Sequence, residues 1–131
     1  MMELGISTRL NTEFDDAIAK TRAALQEQGF GVLTEIDMQA TLKAKIGAEM
    51  ERYVILGACN PQLAHRAVGV DRQIGLLLPC NVVVRSDGDG DGVIVEAMNP
   101  ALMVAVTEEP GLEEVAAEAT TRLEAAIDAL T

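Results

Sequence analysis

Aromatic side chains are nearly missing from this chain: its 131 residues include no Trp, one Tyr and two Phe. Phe14, Phe30 and Tyr53 are too few and too scattered for a base-stacking platform or an aromatic cage. Basic residues are also scarce, with 10 Lys and Arg against 21 Asp and Glu, a formal net charge of −11. Nucleic-acid affinity comes largely from neutralising phosphates, so this balance, without any Lys/Arg cluster, excludes a nucleic-acid partner. Long apolar runs are absent: the stretch at residues 74–79 falls far short of the ~20 residues that span a bilayer. Met1-Met2-Glu3-Leu4-Gly5 has neither a basic segment nor the apolar core of ~7–15 residues that a signal peptide needs. The expectation is a cytoplasmic chain with no membrane partner.

What is present is enough apolar material to fold. Hydrophobic residues make up 49% and charged residues 24%, and the mean hydropathy is +0.19, which argues against a disordered chain. The length suits one domain over residues 1–131, able to bury roughly two thirds of its unfolded surface.

Leu4, Ile6 and Leu10 alternate with Gly5, Ser7 and Arg9, the period of a half-buried strand. Phe14, Ile18, Thr21 and Leu25 then recur at helical spacing, with Thr12 and Asp15 as a capping pair and Gly29 as the stop. Residues 30–36 read as a second strand, and Asp37 caps a short helix carrying Met38, Leu42 and Ile46 that ends at Gly47. Residues 53–59 are apolar at both parities, which predicts a strand covered on both faces. Asn60 at the N-cap and Pro61 at the first helical position open a helix that runs to about Val70. Residues 74–78 and 81–85 suggest strand segments separated by Pro79, and the Asp-Gly repeats of residues 87–92 a hairpin loop leading into residues 93–98. Leu112, Val115, Ala119, Leu123, Ile127 and Leu130 form one stripe, the mark of a C-terminal amphipathic helix. Ala58-Cys59-Asn60-Pro61-Gln62-Leu63 is echoed by Ala97-Met98-Asn99-Pro100-Ala101-Leu102, two strand exits into helix starts.

The chemistry-bearing candidates cluster around the two cysteines. Cys59 stands at a strand end just before a helix N-terminus, where backbone N–H groups and the helix dipole lower a thiol pKa and hold an anion. Simple burial is the competing reading, since Cys is among the most buried residue types. Cys80 follows Pro79, and both cysteines precede an Asn, so two strand ends offer similar Cys-Asn pairs. Spacing does not show that they meet, and no Cys-x-x-Cys exists. No metal site is assigned: the nearest candidates by type, His65, Met98 and Met103, lack the close pairing of ligands, although soft donors favour zinc or cuprous copper. Asp87, Asp89, Asp91 and Gly92 fit the start of a calcium loop, but Met98 falls where the bidentate Glu belongs. Neither a phosphate-binding Gly-rich loop nor a Gly-x-Ser-x-Gly elbow occurs, and the carboxylates single out no acid–base pair.

Together, Gly29-Phe30-Gly31-Val32 with Glu35 and Asp37, residues 42–47, residues 53–63 and the block Ile74-Gly75-Leu76-Leu77-Leu78-Pro79-Cys80-Asn81-Val82-Val83-Val84 resemble the domain-of-unknown-function family 302 (DUF302). The likeness covers nearly the whole chain. It implies an α+β, two-layer helix-on-sheet domain similar to the TATA-binding-protein-like class, with a mixed or mostly antiparallel sheet, usually dimeric and with no established activity. The chain departs from the family pattern at Asn99-Pro100, where the family has Asp, and at Asp71-Arg72-Gln73. The resulting expectation is a homodimer that binds a small ligand, anion or sulfur species at Cys59, Asn60, Pro61, Cys80 and Asn81. A thiol-dependent sulfur-transfer or redox enzyme, with Cys59 as nucleophile and Cys80 or His65 assisting, is the alternative. Catalytic residues and cofactor stay unassigned.

Overall fold

The computed structural model describes residues 3–88 and 92–131. Five strands, β1 (Gly5–Leu10), β2 (Gly31–Asp37), β3 (Tyr53–Cys59), β4 (Cys80–Ser86) and β5 (Val93–Met98), form one sheet in the order β1-β5-β4-β3-β2. Every neighbouring pair is antiparallel. Five helices accompany them: α1 (Phe14–Glu27), α2 (Met38–Ile46), α3 (Pro61–Val70), α4 (Ala101–Thr107) and α5 (Glu113–Asp128). The α+β helix-on-sheet architecture is the one expected.

Alternation along the strands explains the layering. Val54, Leu56 and Ala58 of β3 share a face with Val82 and Val84 of β4 and Val95 and Ala97 of β5, and all are 3% exposed or less. They pack under Phe14, Ala17 and Leu25 of α1 and Leu123, Ala126 and Ile127 of α5. The terminal stripe is realised: Leu112, Val115, Ala119, Leu123 and Ile127 are buried and Leu130 is half-buried. A second cluster, built from Leu63 and Ala67 of α3, Met103 of α4, Ile74, Leu112 and the first turns of α5, sits beside the first.

Four expectations need correction. Tyr53, Ile55 and Cys59 stay half-buried, so β3 is fully covered only on the face that meets the helices. Helix α1 starts at Phe14 after Glu13, with no side-chain cap, and the Asp15 carboxylate receives Arg52 Nη2 at 3.1 Å. Residues 74–78 are not a strand: Arg72–Leu77 forms a 3-10 turn, opened by Asp71 Oδ1 accepting from Gln73 N at 2.9 Å, and it plants Ile74 in the second cluster. The Cys-Asn pairs are not alike. Asn60 caps a helix, whereas Asn81 sits inside β4.

Other local signals hold. Asp37 Oδ1 accepts from Ala40 N at 2.9 Å, and Gly47, at φ +69°, closes α2 in the left-handed region that favours glycine. Gly57 answers to a close approach: a Cβ there would collide with Thr34 Oγ1 and lie 2.9 Å from Pro79 Cγ. The seven ion pairs among described residues all join partly exposed side chains and add little stability each. Of the calcium-loop residues, Asp89 and Asp91 lie outside the described residues, while Asp87 receives Arg9 Nε at 2.9 Å.

Candidate functional site

The two hydrophobic clusters do not interlock completely, and a small cavity marks their seam. Its wall takes Phe30 and Ala58 from the first cluster and Leu63, Ala67, Met103 and Val115 from the second. Cys59, Asn60 and Cys80 line it as well. The space open to the centre of a water molecule is about 20 Å³, room for a single small guest.

Each residue arrives for a local reason. Cys59 ends β3, and its neighbour Ala58 pairs with Cys80, the first residue of β4. The strand pairing therefore brings together two cysteines that are far apart in the chain. Asn60 turns the chain into α3, where its Oδ1 accepts from Leu63 N at 3.2 Å, and Pro61 takes the first helical position. Pro61 lies outside the cavity wall. Asn81 lies outside it too: register places it opposite Gly57, exposed, beside Tyr53, Val83 and Glu96. Of the five residues singled out by sequence, the fold collects Cys59, Asn60 and Cys80 and leaves Pro61 and Asn81 aside.

Burial shapes the chemistry. Cys80 is 6% exposed. Loss of solvation, with a smaller contribution from the neighbouring Cys59, pushes its thiol up to about 11, so it stays protonated at neutral pH. No Lys, Arg, His, Asp or Glu is among the residues lining the cavity. His65 is exposed on α3 and lies off the wall, so it does not assist a thiol there. Sequence reasoning missed Leu63, Ala67, Val115 and Ala119 as wall residues and did not bring Met103 to the cysteines. The echoed Asn-Pro step was the available signal for Met103. Asn99 Oδ1 accepts from Ala101 N at 3.1 Å in a tighter turn than the Asn60 cap, and α4 then carries Met103 inward to 2% exposure.

The family named Domain of unknown function DUF302 matches residues 6–130. The chain belongs to this family. Among solved structures it is similar to an uncharacterized conserved DUF302 protein from Bacillus stearothermophilus, with a TM-score of 0.91 and 28% sequence identity. That likeness covers 99% of this chain and 100% of the other, so the DUF302 fold is shared from end to end. No curated protein matches the chain. The DUF302 blocks around Cys59 and Cys80 are thus the segments whose strand ends frame the cavity. Among the described residues no helix is long and apolar enough to cross a membrane.

Proposed function

We propose that this DUF302 chain is a cytoplasmic binding domain, one unit over residues 1–131, that holds a small sulfur-avid ligand in the cavity between Cys59 and Cys80. The observation that carries the reading is the convergence of both cysteines on one atom-sized, otherwise apolar cavity. Stability alone gives no reason for a void at that point, since interiors are normally close-packed. Within the ligand classes that the sequence suggests, an anion is disfavoured, because no cationic side chain lines the wall. A thiol enzyme with Cys59 as nucleophile is disfavoured because neither assistant serves it: Cys80 is held protonated by burial, and His65 lies exposed off the wall. Pro61 supports the site by setting the start of α3, and Asn81 belongs to the outer face of the sheet.

The same reading includes a homodimer. Register aligns Ile36, Ile55 and Val83 across the face opposite α1 and α5, with Ile94 on the same face of β5, and none of the four is fully buried. A second copy covering this face removes apolar surface from water. Native mass spectrometry of untagged, anaerobically prepared protein tests both parts. The expected spectrum shows a dimer with a discrete added mass that disappears in Cys59→Ser. A 13.9 kDa monomer at micromolar concentration overturns the dimer. A bare chain that also takes up no thiophilic ligand on addition, in either state of assembly, overturns the ligand reading.

A further inference from the structure

Three sulfur-bearing residues from three different elements, Cys59 of β3, Cys80 of β4 and Met103 of α4, line the one cavity. We propose that this cavity is a site for a soft monovalent cation, Cu(I) being the natural candidate, held by the sulfur atoms of Cys59 and Cys80 with the thioether of Met103 as third donor. The inference rests on the reading of the cavity as a ligand site and names the ligand's class.

Donor chemistry makes the selection. Thiolates and thioethers select soft ions, while carboxylates, carbonyls and water suit magnesium, calcium and manganese. The only oxygen- or nitrogen-bearing side chain on the wall is Asn60, already engaged with Leu63 N. Zinc in closed sites takes four ligands, usually thiolate, imidazole or carboxylate. Among the described residues no group of three or more His, Cys, Asp or Glu is placed to hold a metal. The third donor here is a thioether, a soft and uncharged ligand of the kind that suits Cu(I). Size agrees: about 20 Å³ accommodates one ion with no retained water shell. On binding, Cys59 and Cys80 each exchange an S–H bond for an S–Cu bond and release the proton to solvent. Copper stays Cu(I) throughout, so no oxidant or reductant is required.

The test is an anaerobic titration of the reduced full chain with Cu(I) against a chromophoric Cu(I) chelator. One Cu(I) per chain is expected. Cys59→Ser and Cys80→Ala should each weaken binding by more than about 100-fold, beyond the ~10–100-fold that changes around a ligand set produce. Met103→Leu, which conserves volume and leaves both thiols in place, should weaken it about tenfold. Because thiol protons must leave, binding should tighten as pH rises. Should Cys80→Ala fail to fold by circular dichroism, Cys59→Ser at its half-buried position and Met103→Leu still decide the matter. Stoichiometric binding that survives Cys59→Ser, or an affinity untouched by Met103→Leu, overturns the donor set. If the native protein retains a metal-free adduct that Cys59→Ser removes, yet takes up no Cu(I), the copper assignment falls and the ligand reading stands. If it retains no adduct and takes up no Cu(I), both fall.

Discussion

Alkaline pH should unfold this protein through one thiol. Burial raises the Cys80 pKa from an ordinary 9.0 to about 11, while the unfolded chain exposes the same thiol to water. Between those values the unfolded state has lost the proton and the folded state keeps it, so stability falls as pH rises. The contribution is intact below pH 9 and is withdrawn progressively up to about 11. With ~1.4 kcal/mol per pKa unit, the loss from Cys80 alone amounts to about 1.4 kcal/mol at pH 10 and about 2.3 kcal/mol at pH 11. The measurement must be differential, so that only the effect of the Cys80 thiol is read. Urea unfolding of the native chain and of Cys80→Ala, each at pH 8, 9, 10 and 11, isolates the thiol. The gap between the two proteins should move by about 2 kcal/mol across the series, to the disadvantage of the native chain. Cys59→Ser should narrow that movement, because Cys59 supplies part of the rise. A gap that stays constant with pH refutes the argument, since Cys80 would then titrate alike in both states.

Other perturbations probe the frame around the cavity. Gly57→Ala sets a methyl group against Thr34 and the Pro79 ring; the threonine can rotate, the proline cannot, and a loss of about 1–3 kcal/mol is expected in chemical denaturation. Asn60→Ala removes the cap on Leu63 N and should cost about 1 kcal/mol, with most of it recovered in Asn60→Asp, as read by thermal unfolding. Leu123→Ala, at 0% exposure between α5 and the sheet, should cost about 3 kcal/mol by urea titration. Iodoacetamide at pH 7 should leave Cys80 unmodified in the folded chain and label it in urea, with peptide mass mapping as the readout.

Much of the frame was legible because local signals coincided with tertiary demands. The helix start at Asn60-Pro61, the cap at Asp37 and the stripe from Leu112 to Ile127 each depend on side chains close in sequence. The failures depended on distant ones. The apolar run at residues 74–78 has the composition of a strand, but Asp71 opens a 3-10 turn there, and Ile74 finds its neighbours on α3, α4 and α5. Asp15 was expected to cap α1 and instead meets Arg52, a residue beyond two intervening elements. At the site, the blocks around Cys59 and Cys80 stood out early, yet only the pairing of Ala58 with Cys80 brings them together. For Met103 the echoed Asn99-Pro100 step marks a helix start, but its place on the cavity wall depends on how α4 packs on α5.

The strand order has a consequence for how the protein is made. Strands β2, β3, β4 and β5 each lie beside the next in sequence, so this part of the sheet can grow by successive additions. Strand β1 breaks that rule: Gly5 pairs with Met98 and Leu10 with Val93. During synthesis β1 emerges before every other strand and must wait, unpaired, until β5 has left the ribosome. Closing so long a loop carries an entropic cost that grows with its length, and contacts of such separation slow folding. Pairing of β1 should therefore be among the slower steps in forming the sheet, and until it happens Ile6 and Leu10, covered in the folded chain, stay open to water.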